Sequence, residues 1–149
     1  MRRILECAVV LSLSLAGVAG AETKPARGSD RDGWPETRVG ALARGWVAAF
    51  SSGDSAMKTY LASHLAPTSL ADKSVPQRIE RYRDLRKRYG RLELASVVKS
   101  SPEKLTVKLM GSDATRYEFI FTAQTEAPHK LLSVAIREGG HFGHGSFRH

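Results

Sequence analysis

The sequence predicts an α+β domain in which three N-terminal helices precede a four-stranded antiparallel sheet. Apolar residues recur at helical spacing from about Pro35 to Tyr89, and beyond Gly90 they alternate with polar residues at the period of a strand. The turns between the alternating runs are short and polar, which favours an antiparallel meander over parallel crossovers. A chain of 149 residues has room for one such domain.

The N-terminus has the features of an export signal. Arg2-Arg3 precedes an apolar stretch over residues 8–21, which ends in Ala19-Gly20-Ala21, a small-x-small pattern that a signal peptidase accepts. A helix needs about 20 apolar residues to span a bilayer, and this stretch is shorter. We therefore expect residues 1–21 to be removed before Glu22, and the mature protein to be periplasmic or secreted with no stable membrane span.

The first two helices are separated by the polar residues Ser51-Ser52-Gly53-Asp54, which end the first of them. The first is predicted from Pro35 to Phe50, with the proline in its first turn. The second begins at a cap supplied by Asp54 or Ser55 and ends at Pro67. Residues 66–73 are predicted to be a loop, and the polar residues 22–34 a flexible leader before the fold.

The third helix has the clearest boundaries. It is predicted from Val75 to Tyr89, since Ser74 and Gln77 can form a capping box at its start and Gly90 can end it. The four strands follow, and their alternation assigns one set of residues to the inner face of the sheet. Glu93 and Glu118 fall on the opposite phase, so this face has no carboxylate unless a bulge reverses a phase. The predicted inner residues are Leu92, Leu94, Ser96, Val98, Leu105, Val107, Leu109, Tyr117, Phe119, Phe121, Leu132, Val134 and Ile136.

Two segments resemble a known superfamily. The segment Trp46-x-x-x-Phe50-Ser51-Ser52-Gly53-Asp54, with the order of three helices and then strands, resembles domains related to nuclear transport factor 2 and ketosteroid isomerase. Residues 126–134, Glu-Ala-Pro-His-Lys-Leu-Leu-Ser-Val, are similar to the last strand of versions found at the N-terminus of secreted serine hydrolases. The resemblance covers residues 35–137. It implies a cone, in which a curved sheet wraps around the helices and leaves an apolar pocket at its open end.

Catalytic members of this superfamily aim a carboxylate or a histidine into the cone. Here His64, in the stripe of the second helix, is the one candidate, and a histidine packed at the core boundary is the alternative. Tyrosines near the same space either pack in the core or line the pocket. An arginine at the edge of the third helix's stripe would suit a carboxylate-bearing ligand. The candidate pocket residues are His64, Tyr60, Tyr82, Arg86, Tyr89 and Tyr117.

The chain is basic, with a formal net charge of +8. Much of this charge lies on the third helix, where Arg81 and Arg88 are seven residues apart on one face. The face either is solvated, with a few ion pairs, or docks an acidic protein surface. Cys7, the single cysteine, lies within the expected signal, so the mature chain has no disulfide or thiolate site. Nucleic acid is not expected as a partner, given the export signal and the lack of a reader motif.

No catalytic residue, cofactor or structural metal is predicted. The Gly/His-rich residues 138–149 predict a disordered tail, and the alternatives for its three histidines are adventitious metal binding and plain disorder. Two Ser-x-x-Lys strings, at Ser55 and Ser101, lack the other motifs of penicillin-recognising enzymes. The sequence favours an exported, non-enzymatic module that binds an apolar or weakly acidic small ligand or a partner protein. The open alternatives are a small isomerase or hydratase that uses His64 and the pocket tyrosines, and a separate regulatory subunit of a secreted hydrolase. The oligomeric state is left open, with a homodimer among the alternatives.

Overall fold

The computed structural model describes residues 32–138, which form four helices followed by one open antiparallel sheet. The expected signal, nearly all of the leader and the tail beyond Glu138 lie outside the described residues. The α+β class and the four strands are as predicted. Within residues 32–138 no helix combines the length and hydropathy that a membrane span requires. The elements are α1 (Arg38–Ser52), α2 (Asp54–His64), α3 (Pro67–Asp72), α4 (Val75–Tyr89), β1 (Glu93–Ser100), β2 (Lys104–Met110), β3 (Arg116–Ala123) and β4 (Leu131–Arg137).

The four strands form an antiparallel meander in the order β1-β2-β3-β4. Because consecutive strands are neighbours, β1 and β4 are the two edges of the sheet. One end of the β4 edge is covered: Leu65 forms a parallel bridge with Leu131, and the N–H of Ala66 donates to the Leu131 carbonyl at 2.9 Å. This bridge places the end of α2 beside the start of β4.

The structure corrects the starts of the first two helices and the loop that follows them. The second helix begins at Asp54 with Gly53 as its N-cap, so neither Asp54 nor Ser55 supplies the cap. The first helix begins at Arg38, three residues after Pro35, because the Thr37 side chain accepts the N–H of Gly40 at 3.0 Å and so caps it. Residues 66–73, predicted to be a loop, contain α3. Pro67 occupies the first position of α3, where its fixed φ suits a helix start, and α2 has already ended at His64.

The helix α4, which the sequence predicts as the third helix, has the predicted boundaries, Val75–Tyr89. The Gln77 side chain accepts the backbone N–H of Ser74 at 3.0 Å, and Gly90 follows the last turn with a φ of 67°. A positive φ costs glycine little, since it has no Cβ. Gly90 therefore lets the chain turn sharply out of α4 and into β1.

Bulges change the predicted phase of β1. Val97 lies opposite the buried Val107, whereas Ser96 lies opposite the exposed Lys108. Directly opposite residues share a face, so Val97 is on the inner face and Ser96 on the outer face, the reverse of the prediction. The register shifts twice along β1, and each extra residue reverses the alternation.

A third bulge changes which residue at the start of β4 faces the core. The register of β3 with β4 shifts between Thr122 and Ala123, so Leu131 lies opposite Ala123 and is fully buried. Leu131 thus takes the inner position that was predicted for Leu132, which is half-buried. Val134 and Ile136 keep their predicted inner face, opposite Phe121 and Phe119.

The core lies between α1 and the inner face of β2 and β3. Trp46 stacks on Phe50 with ring centroids 5.1 Å apart and meets Phe121 edge-on at 5.6 Å. Burial of side chains of this size supplies most of the stabilisation that a domain gains from its core. The largest fully buried side chains are Phe50, Phe119, Phe121, Met57, Leu105, Leu109, Leu131, Val39 and Val107.

Candidate functional site

A cavity of about 460 Å³ opens between α2, α4 and β4, and we call it the α4–β4 groove. Its floor is apolar. Met57 and Leu61 are four residues apart on α2 and therefore face the groove together. Leu85 closes it from α4, and Val134 from β4. The complete apolar lining is Trp46, Met57, Leu61, Leu65, Tyr82, Leu85, Leu131 and Val134.

The rim of the groove is cationic. It consists of Lys73, Gln77, Arg78, Arg81 and Ser133. Arg78 is held in place by backbone carbonyls, since it donates through Nε to Lys73 at 3.0 Å and through a terminal nitrogen to Ser69. Lys73 and Arg81 have no ion-pair partner among residues 32–138, and no carboxylate lines the groove there. The rim therefore presents positive charge to whatever enters.

Tyr82 is the only one of the six candidate pocket residues that lines the groove. Its ring meets Phe50 edge-on at 5.2 Å, and its hydroxyl donates to the Phe50 carbonyl at 3.0 Å. Burial raises the pKa of its phenol, with a smaller opposing effect from the Arg86 guanidinium. Tyr82 thus offers its ring to the groove, while its hydroxyl is engaged by α1.

Arg86 lies outside the groove, in contrast to its expected place at the pocket rim. It donates to the Phe50 carbonyl, and its guanidinium carbon lies 5.9 Å from the Phe50 ring centroid. Arg78 and Arg81 lie on one side of Tyr82 around α4, and Arg86, four residues after Tyr82, lies on the other. The edge of the apolar stripe that carries Arg86 therefore faces α1 and not the pocket.

His64 and Tyr60 form a stacked pair outside the groove lining. Their rings are 4.4 Å apart and nearly parallel, at 10°, and His64 is exposed. The Tyr60 hydroxyl donates to the Leu42 carbonyl at 2.6 Å, and burial raises the pKa of this phenol. The pair follows the i, i+4 spacing on the face of α2 next to the one that carries Met57. Tyr60 therefore ties α2 to α1.

Tyr89 and Tyr117 pack against each other beyond the groove, with ring centroids 4.4 Å apart. The Tyr117 hydroxyl donates to Asp113 at 2.9 Å, and this hydrogen bond raises the pKa of Tyr117 while the Asp113 pKa is lowered, chiefly by the backbone N–H of Thr115. Burial raises the pKa of Tyr89. These two tyrosines join α4 to β3.

The two arginines predicted to bind a partner lie on the same side of α4, one in the groove and one beyond it. Arg81 lines the groove and is exposed. Arg88, also exposed, pairs with Glu138 at 2.6 Å and lies 5.6 Å from the Tyr89 ring centroid. Because Glu138 follows β4, this ion pair bridges α4 and the end of the strand. The two arginines thus share the side of α4 that faces β4.

Sequence reasoning missed most of the groove. Lys73 falls in the predicted loop over residues 66–73, and Arg78 is not among the predicted site residues. The spacing of Arg78, Arg81 and Leu85 was the available signal, since it places two cations and an apolar residue along one side of α4. Which wall that side would meet depended on α3 and on the Leu65–Leu131 bridge, which have no local signature.

The groove has the chemistry of a binding site for an amphipathic anion. Its floor can cover an apolar group, and its rim can pair with a carboxylate or a similar anion. Within residues 32–138 no cluster of His, Cys, Asp and Glu could hold a metal ion. No protein-family model, curated protein or solved structure matches the chain.

Proposed function

We propose that the protein is an exported, non-enzymatic binding module that takes a ligand with an apolar part and an anionic part in the α4–β4 groove. The observation that carries the proposal is the combination of an apolar floor with Lys73 and Arg81 at the rim, and no carboxylate in the described lining. Each methylene group that leaves water for such a floor contributes about 0.8 kcal/mol. A unit charge held about 4 Å from one of these exposed rim cations gains about 1 kcal/mol, because solvent screens the pair.

Two further features support the proposal. The export signal expected over residues 1–21 would deliver a basic module to a compartment rich in anionic lipids, polysaccharides and acidic proteins. A cone like that of nuclear transport factor 2 would account for an apolar cavity beside the helices. No observation favours the isomerase or hydratase alternative, because His64 and three of the four tyrosines lie outside the groove.

The fluorescence of Trp46 offers a direct test, because its indole lines the groove. The chain has two tryptophans, so a Trp34→Phe background leaves Trp46 as the single reporter. Dodecanoate serves as the probe, since it joins one carboxylate to a flexible apolar chain. We expect a saturable change in Trp46 emission, and weaker binding of the uncharged dodecanol.

Matched charge variants on α4 locate the anion. Arg81→Gln should weaken dodecanoate binding about three- to tenfold, which corresponds to the loss of one exposed ionic contact of about 0.6–1.4 kcal/mol. Lys87→Gln removes the same charge from an exposed position on the same helix outside the groove, so it should change the affinity less than twofold. Unchanged Trp46 emission with both probes, or equal effects of the two variants, would refute the proposal.

A further inference from the structure

The outer edge of β4 carries unpaired backbone groups next to the groove. The N–H of Ala123 donates across to the Glu103 carbonyl at 2.8 Å, so alternate residues of β3 direct their backbone groups towards β2. Phe121 and Phe119 belong to this set. Their partners on β4, Val134 and Ile136, therefore direct their N–H and C=O groups away from the sheet. Within residues 32–138 these groups have no hydrogen-bond partner.

The start of the same edge is already paired. The N–H of Ala66 donates to the Leu131 carbonyl at 2.9 Å, and the Ser69 hydroxyl donates to the Leu132 carbonyl at 2.7 Å. The chain then turns into α3 and leaves the rest of the edge open. An added strand would continue the line that Leu65 and Ala66 begin.

The side chains around this open edge have a defined pattern. Val134 faces the groove, so alternate side chains of an added strand would enter the same apolar space. The other side chains would lie on the outer face beside Arg137, which is 71% exposed. Among residues 32–138 its only ion-pair contact is a long one, at 3.5 Å, with Glu118. At the end of β4, Arg88 already holds a carboxylate, that of Glu138.

We propose that an extended acidic segment of a separate protein adds to β4 as a fifth strand. Its backbone pairs with Val134 and Ile136, its apolar side chains enter the α4–β4 groove, and its carboxylates lie on the outer face beside Arg137. Arg81 and Lys73 at the groove rim attract the net negative charge of the segment. The proposal rests on the proposed function, because the same groove receives the side chains. It makes the ligand a peptide strand, which combines backbone hydrogen bonds with side-chain pockets.

Charge identifies the occupant. A second copy of this chain would bring the same four cations, Lys73, Arg81, Arg88 and Arg137, to the contact, and like charges at an interface oppose association. Residues 139–149 contain no aspartate or glutamate, and residues 22–31 contain more arginine and lysine than acid. Neither segment is acidic, so charge complementarity favours an acidic strand from another protein.

Hydrogen exchange of two named amides tests the strand pairing. The probe is a synthetic heptapeptide of alternating glutamate and valine, blocked at both ends, added to the isotope-labelled mature protein. We expect the peptide to slow exchange of the Val134 and Ile136 amides at least tenfold, because each gains an acceptor. A peptide N-methylated at alternate amides should bind at least tenfold more weakly, and so should a lysine–valine peptide of the same length.

A matched pair of charge reversals completes the test. Arg81→Glu should weaken binding of the glutamate–valine peptide at least tenfold, whereas Lys87→Glu, outside the groove, should change it less than threefold. Peptide binding that leaves the Val134 and Ile136 amides unprotected would overturn the strand proposal. A dimer in sedimentation equilibrium, with both amides protected before peptide is added, would overturn it in favour of a second copy.

The strand proposal and the proposed function fail in different ways. Dodecanoate binding without peptide binding overturns the strand and keeps the groove as a small-ligand site. Failure of both probes to change Trp46 emission overturns both proposals. Protection of the two amides by the peptide and not by dodecanoate, together with Trp46 changes from each probe, supports both.

Discussion

The backbone carbonyl of Phe50 accepts two hydrogen bonds from α4, one from the Tyr82 hydroxyl and one from the Arg86 guanidinium. Phe50 lies in the last turn of α1, where carbonyls have no partner within the helix. The two donors therefore satisfy a helix end and fix the distance between α1 and α4. Since α4 is one wall of the groove, these contacts also set the position of that wall.

Removing the Arg86 contact should cost more stability than removing an exposed ion pair on the same helix. Arg86→Met keeps an apolar stem of similar length and loses a hydrogen bond from a charged donor, so we expect the free energy of unfolding to fall by about 1.5–3 kcal/mol. Arg83→Met loses the exposed ion pair with Asp54 and should cost about 0–1 kcal/mol. Urea denaturation of the two variants measures both. Equal losses would mean that Arg86 is only a surface charge.

At the scale of single elements, α3 and its contact with β4 determine how the groove is closed. Ser69 is the one polar residue that is buried among residues 32–138, and its hydroxyl reaches the Leu132 carbonyl. The Arg78 guanidinium donates to the carbonyl of the same serine. One short helix thus links β4 with the cationic wall.

The Ser69 hydroxyl should therefore contribute measurably to stability. Ser69→Ala leaves the Leu132 carbonyl without this donor, and we expect a loss of about 1–3 kcal/mol in the free energy of unfolding. Ser63→Ala is the control, because the Ser63 hydroxyl only bonds back to the Thr59 carbonyl on an exposed helical turn. That change should be neutral or slightly stabilising, since alanine has the higher helix propensity. A neutral Ser69→Ala would show that α3 is held by apolar contacts alone.

Local signals made most elements predictable. The ends of α4 depend on residues within one turn of each end, Ser74, Gln77 and Gly90, so the sequence indicates them directly. Strand number and order follow from alternation and short turns. The bulges of β1 have no such signal, because Leu94 to Lys99 alternate acceptably in more than one phase.

The site was less predictable than the fold because its walls meet only in three dimensions. Helical spacing placed Tyr82 inward, and it does line the groove. The same spacing could not tell which flank of α4 meets α1 and which meets β4. The sequence therefore places Arg86 at the pocket and Arg81 in the basic patch of the helix, although Arg81 is the one that lines the groove.

At the scale of the whole molecule, export depends on residues outside the described domain. If residues 1–21 are a signal, the protein recovered from outside the cytoplasm begins at Glu22, because cleavage follows the Ala-Gly-Ala pattern. N-terminal sequencing of the exported protein checks this. A full-length chain that begins at Met1 and remains with the membrane fraction would contradict both export and the assigned cleavage site.

The tyrosines make the whole fold sensitive to alkali. The chain has four, and the pKa of each is raised in the folded protein: by burial for Tyr60, Tyr82 and Tyr89, and by the hydrogen bond to Asp113 for Tyr117. In the unfolded chain they lose their protons at about pH 10. Above that pH the folded state binds more protons than the unfolded state, so the free energy of unfolding must fall as pH rises.

Tyr60→Phe isolates the largest of these contributions. At about pH 8 the variant should be less stable than the parent by about 0.5–1.5 kcal/mol, since it loses the hydrogen bond to the Leu42 carbonyl. Between about pH 10 and pH 11 the difference should shrink by up to about 1.4 kcal/mol, because only the parent gains an ionising tyrosine when it unfolds. Urea titrations of both proteins at about pH 8, pH 10 and pH 11 give the difference in the free energy of unfolding directly. Two outcomes would contradict this expectation: a stability difference that is constant with pH, and tyrosinate absorbance that rises at pH 10 while the protein is still folded. Either would show that the Tyr60 phenol is open to solvent and does not hold α2 against α1.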